Sequence, residues 1–222
     1  MKARKCVVLS LFALLAAGGC STAPLQLSLW NPIQIVDEEK DVHGVRLNAL
    51  YAKNKNIVGL DLGLGVNECE ESMTGVQIGG LLPSFEGEVT GIQIGGLLAG
   101  SGETTGIQTG GLVSSAFGCF GVQIGGLASA SAGGAGIQMS GLLNVCGEMT
   151  GVQVAGLANS SDETSGLQVA LFNYAEQLNG VQIGLINIAD NQGIPFVPFI
   201  NFSVGGSGDE APKPEAAEKP QP

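Results

Sequence analysis

The sequence predicts an all-β fold, a β-solenoid of about ten coils of 14–16 residues that is capped at both ends. The first observation is a motif that starts with glycine and recurs at a nearly constant period, as in GVQIGGLL from Gly75 and GIQIGGLL from Gly91. Further copies, the first two of them degenerate, begin at Gly44, Gly59, Gly106, Gly121, Gly136, Gly151, Gly166 and Gly180. A period held this long indicates a repeat architecture, in which each unit buries its apolar face against its neighbours.

The second observation is a polar side chain two residues after the repeat glycine. Glutamine holds this place in the eight regular copies, at Gln77, Gln93, Gln108, Gln123, Gln138, Gln153, Gln168 and Gln182. Parallel coils would stack these side chains about 4.8 Å apart, with each amide hydrogen-bonded to the next in one polar ladder. An antiparallel β-meander of the same units would scatter them between opposite strand ends, and it remains the alternative fold.

The two degenerate copies carry Arg46 and Asp61 where the others carry glutamine. Stacked coils would place these charges on neighbouring rungs of the polar ladder, with Gln77 on the next rung. An opposite-charge pair across a ladder contributes roughly 0.2–1 kcal/mol. We therefore predict that the array begins with an ion pair that continues into the amide ladder.

Within one repeat, the alternation of side chains predicts a strand followed by a corner. Val76 and Ile78 share one side of the strand, which we expect to be the buried side, and Gln77 lies on the other. Leu81 has the wrong parity for that strand, so the chain must turn at the preceding Gly-Gly pair to bury it.

Residues 1–20 are predicted to be a targeting segment. Three basic residues precede an apolar run that is too short to span a bilayer, as in an export signal. The run ends in Ala-Gly-Gly-Cys, which resembles a bacterial lipobox, so we predict cleavage before Cys20 and acylation of its thiol and new amine. The alternative is cleavage after Ala23, which would give a soluble periplasmic or secreted protein.

The two ends of the array are predicted to be closed by aromatic residues, since a terminal coil would otherwise expose its core to water. Trp30 is expected to plug the first end, and Phe196, Phe199 and Phe202 to cover the last core. The predicted segments are a tether with cap strands (21–43), the repeat array (44–190), a C-terminal cap (191–204) and a disordered acidic, proline-rich tail (205–222).

Charge excludes one class of partner. The formal net charge is −11, and no cluster of Lys or Arg exists outside the N-terminal segment. Because phosphate backbones require a cationic surface, we expect no nucleic-acid binding. An anionic bilayer could not be held by charge alone.

The sequence shows no residue pattern for catalysis or metal binding. His43 is the only histidine, and it lacks partners at the positions that a triad or a metal site would require. Cys69, Cys119 and Cys146 include no CxxC pair, and we interpret them as buried apolar thiols. The Gly-rich cores also lack the Lys-Ser/Thr of a phosphate loop. We therefore predict no enzymatic activity, no cofactor and no metal.

Three blocks together resemble an uncharacterised bacterial surface-repeat family: the repeat GVQIGLINIAD, the opening SLWNPIQIVDEEKDVHGVRLNALYAKNKNIVGLDLGL and the closing PFVPFINFSV. The resemblance implies a secreted, surface-associated protein and carries over no catalytic or ligand residue. We therefore expect an exported cell-envelope repeat protein with a structural or interaction role, held at the outer membrane or cell surface by a lipid on Cys20. The alternative is a binding module whose polar ladder recognises a repetitive ligand such as a glycan or ice.

Overall fold

The computed structural model describes residues 22–83 and 87–203, and over these residues the chain is an all-β solenoid of about 11 turns. This confirms the predicted fold class. The predicted export signal, Cys20 and the predicted tail lie outside the described residues. The strands are β1 Thr22–Trp30, β2 Ile33–Gln34, β3 Asp41–Gly63, β4 Val66–Gly79, β5 Leu82–Pro83, β6 Glu88–Gly95, β7 Leu98–Gly110, β8 Val113–Gly125, β9 Ala128–Ser140, β10 Leu143–Ala155, β11 Ala158–Val169, β12 Phe172–Ala189 and β13 Phe196–Ser203.

Successive coils pair in parallel and in register, which is incompatible with the antiparallel meander. From β3 to β12 each described pairing is parallel, and the repeat glycines face one another, as Gly106 faces Gly121 between β7 and β8. Antiparallel pairing occurs only at the ends, between β1 and β2 and between β12 and β13, among the described strands. Like residues therefore stack in rows along the axis.

Two columns of glycine make the corners possible. The ten repeat glycines all have positive φ, between 128° and 153°, a conformation that L side chains rarely adopt. A Cβ at Gly121 would lie 2.1 Å from the carbonyl oxygen of Gly106 in the coil before it. The predicted turn at the Gly-Gly pair is also observed, and a Cβ at Gly111 would lie 2.0 Å from the oxygen of Gly96. Only glycine permits the coils to stack this closely.

The interior is polar and small, so the predicted sidedness of the strands is wrong. Gln77 is fully buried, whereas Ile78 and Leu81 are 39% and 46% exposed. The narrow coil has room for few large side chains on its inner side, where glycine, serine, alanine, cysteine and asparagine fill most of the space beside glutamine. Large aliphatic residues are buried at only a few places, such as Ile57 and Leu178.

The aromatic plugs predicted for the two ends are also wrong. Trp30 is 55% exposed and packs at a tilt on Tyr51, with the ring centroids 6.0 Å apart. Phe196, Phe199 and Phe202 are all exposed. The end strands β1 and β13 themselves cover the terminal coils through backbone pairing, because an added strand satisfies the open hydrogen-bonding edge without aromatic cover.

Candidate functional site

The ten residues predicted to form the polar ladder lie in one buried column through the array. Each glutamine donates from Nε2 to the side-chain oxygen of the coil before it, over distances of 2.8–3.1 Å. The column starts with Arg46, Asp61 and Gln77, and Asn201 of β13 closes it by donating to Gln182 Oε1 at 3.0 Å. The predicted ladder is therefore assembled, but none of it faces a ligand outside the molecule.

Arg46 and Asp61 form a bidentate ion pair at the start of the column. Arg46 donates from Nε and Nη2 to the two carboxylate oxygens of Asp61, each at 2.7 Å, and both side chains are fully buried. The same guanidinium donates to the carbonyl oxygen of Glu68 at 2.9 Å. The predicted pair is therefore present. The roughly 0.2–1 kcal/mol expected for a pair across a ladder does not apply here, because removing one partner would leave the other charge buried and unpaired, which costs several kcal/mol.

The carboxylate of Asp61 sets the direction of every bond above it. A carboxylate only accepts, so Gln77 must turn its NH₂ group toward Asp61 Oδ2, which it reaches at 2.9 Å. The oxygen of Gln77 then faces Gln93, which must donate in turn. The same constraint passes from coil to coil as far as Asn201.

Glutamine suits this place because its amide carries two hydrogens. One hydrogen makes the ladder bond, and in most coils the other reaches a backbone carbonyl across the coil. Gln123 donates to the oxygen of Ala130 at 3.0 Å, and Gln138 donates to that of Val145 at 3.3 Å. The side chain thus satisfies a buried carbonyl on the opposite wall, which an aliphatic residue could not do.

A second buried amide ladder, made of asparagine, was missed by the sequence analysis. Asn144 donates to Asn159, Asn159 to Asn173 and Asn173 to Asn187, at 2.9, 3.0 and 2.8 Å. A shorter run joins Asn48 to Asn67 at 2.8 Å. The recurrence of asparagine at intervals of 14 and 15 residues is the signal that could have revealed it. The middle coils carry Ala99, Ser114 and Ser129 in this column.

The three described cysteines are buried and form no disulfide, which confirms the prediction of buried apolar thiols. Burial raises the pKa of Cys69 and of Cys119 to about 11, because the thiolate would lose its hydration. The pKa of Cys146 is raised for the same reason. These thiols are therefore poor nucleophiles at neutral pH.

His43 is exposed, and the described residues contain no group of three or more His, Cys, Asp or Glu placed to hold a metal ion. No helix in the described ranges is long and apolar enough to cross a membrane.

The outer side of the array carries a continuous apolar face. We define this face as the residues at the second and fourth places of each repeat together with the leucine at the corner that follows them. The corner leucines are all exposed: Leu50, Leu64, Leu81, Leu97, Leu112, Leu127, Leu142, Leu157, Leu171 and Leu185. Thr109 is the one polar side chain at the second and fourth places of the ten repeats.

The end strands extend the apolar face in both directions. In β1, Leu25 and Leu27 pair beside Val45 and Leu47. Exposed Leu29, Ile33 and Ile35 continue it and help to line an apolar groove of about 910 Å³. In β13, exposed Ile200 and Phe202 pair beside Ile183 and Val181. The apolar face thus runs through the whole described solenoid.

Acidic residues lie at another corner of the coil. Glu103, Glu148 and Glu163 each lie three residues before a repeat glycine, and all three are exposed. At the first coils Lys53 pairs with Glu70 at 2.8 Å, and that hydrogen bond and its charge raise the pKa of Lys53. The solenoid is therefore amphipathic around its axis.

These features define the class of protein: a repeat β-solenoid with a hydrogen-bonded polar interior and an apolar outer face. No protein-family model, no curated protein and no solved structure matches the chain.

Proposed function

We propose that the protein is an exported, lipid-anchored component of the bacterial cell envelope with a structural or interaction role. The observation that supports this role best is the uniform outer surface, since every coil presents similar side chains at the same places. Such a surface suits extended contact more than the binding of one small molecule. The predicted export signal with Cys20 supports this proposed location, and so does the resemblance to a bacterial surface-repeat family.

No observation favours the alternative in which the polar ladder reads a glycan or ice. Gln93, Gln108 and Gln153 are fully buried, so the ladder offers no side chain to a ligand at the surface. The exposed threonine row before the repeat glycines is interrupted by Phe120 and Ala135.

The anchoring proposal is tested by metabolic labelling with a clickable palmitate analogue and by membrane fractionation. Wild-type protein should be labelled and should sediment with membranes, whereas Cys20→Ser should lose both properties. Cys6→Ser is the matched control, because Cys6 lies in the same targeting segment upstream of the predicted cleavage and should leave labelling intact. An unlabelled wild-type protein whose mature chain begins at Pro24 would refute the lipid anchor.

A further inference from the structure

We propose that the apolar face docks lengthwise on a lipid bilayer, so that the solenoid lies flat on the membrane. The inference rests on the proposed function, because it names the surface that a membrane-anchored array would meet. It adds a specific side of the molecule, a specific orientation and the chemistry of the partner.

The size of the apolar face calls for a partner. Ten coils stacked at about 4.8 Å make the face roughly 45 Å long, and the six residues from its first row to the corner leucine make it roughly 15 Å wide. The resulting area, on the order of 700 Å², exceeds the largest apolar patch of a typical monomer, about 300–600 Å². A surface of this size marks an interaction site.

The chemistry of the face favours lipid over protein. A protein interface carries roughly one hydrogen bond per 100–200 Å². The apolar face offers the hydroxyl of Thr109 and little else, because its backbone N–H and C=O groups are already used in pairing between coils. A bilayer interior requires no hydrogen bonds, so a uniform aliphatic surface is complementary to it.

The distribution of charge and aromatic side chains favours the same orientation. Acids such as Glu103 and Glu148 lie at another corner of the coil, and none lies in the apolar face among the described residues. Exposed Trp30 at one end is a residue type that suits the boundary between water and hydrocarbon. At the other end, exposed Phe202 continues the apolar face beside Val181.

The proposed anchor also ends close to the face. Only Ser21 separates Cys20 from Thr22, where β1 begins, so an acylated Cys20 would lie within about 7 Å of the first strand. Three residues further along, β1 enters the apolar face at Leu25. A lipid at this place would hold the first coil at the bilayer and leave the remaining coils free to lie along it.

The test places a single tryptophan on one side of the coil or the other. Trp30, the only natural tryptophan, is changed to phenylalanine. Leu112→Trp then puts the probe on the apolar face, and Phe117→Trp puts it at a distant corner of the same coil, where Phe117 is 76% exposed. A second pair, Leu142→Trp and Ala132→Trp, repeats the comparison further along, in case one variant fails to fold.

The exported mature protein, with a histidine tag after Pro222, is held on brominated phosphatidylcholine vesicles that contain a nickel-chelating lipid. Bromine quenches tryptophan that enters the hydrocarbon. We expect Leu112→Trp and Leu142→Trp to lose most of their emission, and Phe117→Trp and Ala132→Trp to keep theirs. The tag holds the protein whether or not Cys20 is acylated, so the quenching tests the face alone and palmitate labelling tests the anchor alone.

Equal emission from both probes of a pair, quenched or not, would overturn the proposal. Sedimentation of the protein without lipid tests whether the apolar face instead binds a second copy of the chain. A stable dimer whose Leu112→Trp probe is shielded from solvent and stays unquenched on vesicles would assign the apolar face to a second copy of the chain and overturn membrane docking.

Discussion

Replacing the buried ion pair by the ladder's own residue tests whether the column acts as one hydrogen-bonded unit. Arg46 and Asp61 are both fully buried and bind each other through two bonds of 2.7 Å. Asp61→Gln would leave the guanidinium charge without its counter-charge, and Arg46→Gln would leave the carboxylate with Gln77 as its remaining side-chain donor. Removing one partner of a buried pair costs about 3–5 kcal/mol. We expect each single variant to be destabilised by that amount.

The double variant Arg46→Gln with Asp61→Gln should recover most of this loss. Both new amides would stand on rungs that already have the geometry of a glutamine ladder. At position 61 the second amide hydrogen could reach the carbonyl oxygen of Glu68, which Arg46 now serves, as Gln123 reaches that of Ala130. Replacing a buried ion pair by neutral groups that satisfy one another is often close to neutral. The coupling energy of the cycle should therefore be several kcal/mol.

Trp30 makes the measurement local. It is the only tryptophan, and it contacts Tyr51 at the same end of the array, so its fluorescence during urea unfolding reports on the first coils. The coupling should persist in high salt, because a fully buried pair is poorly screened. Single variants that each cost less than about 1 kcal/mol, as exposed pairs do, would refute the reasoning. So would a double variant as unstable as the sum of the two.

Three further predictions concern the glycine corners, the asparagine ladder and the thiols. Gly121→Ala should destabilise by about 1–3 kcal/mol or more in thermal unfolding, because its φ is 136° and its Cβ would lie 2.1 Å from Gly106 O. Gly118→Ala, whose Cβ would meet nothing closer than 3.6 Å, should change stability by less than about 1 kcal/mol; equal losses would contradict the steric argument. Ser129→Asn should stabilise by about 1 kcal/mol, since Asn144 Oδ1 is buried without a donor and the new amide would supply one. Exposed Ser115→Asn is its control, and no gain over that control would count against an extended ladder. Native Cys69 and Cys119, with pKa values of about 11, should resist iodoacetamide at pH 8 until the protein unfolds. Because the unfolded thiols ionise near pH 8.5, their contribution to stability is complete below that pH and is lost as pH rises to about 11; a stability that rises over this window would contradict the sign.

The period of the repeat was enough to predict the solenoid and its main column. Residues spaced 14–16 apart can stack only if each repeat makes one coil, so the position of Gln77 above Asp61 and Arg46 followed from counting. The Gly-Gly corner followed from the change of parity at Leu81. Each of these conclusions depends on spacing along the chain, which the sequence records directly.

Spacing alone could not predict which side of each strand faces the interior. Hydrophobicity assigns Val76 and Ile78 to the interior, and the opposite is observed, because a narrow coil has room for few large side chains and many carbonyls to satisfy. Whether glutamine can be buried depends on a partner in the next coil, which is a property of the stack and not of one repeat. The aromatic cover predicted for the two ends was wrong for a related reason, since β1 and β13 cover the terminal coils by backbone pairing.

Polar side chains fill the interior of this solenoid and aliphatic side chains lie outside, and this placement links the fold to the need for an apolar partner. Burying amides in two ladders costs little, since each Nε2 or Nδ2 group has an acceptor in a neighbouring coil, as between Gln138 and Gln123 or Asn144 and Asn159. Folding then removes little aliphatic surface from water, and the leucines at the corners stay about half exposed. The hydrophobic free energy of that surface is still to be gained when the folded chain meets an apolar partner. Hydrogen bonds therefore specify this fold, while the apolar side chains specify what it contacts.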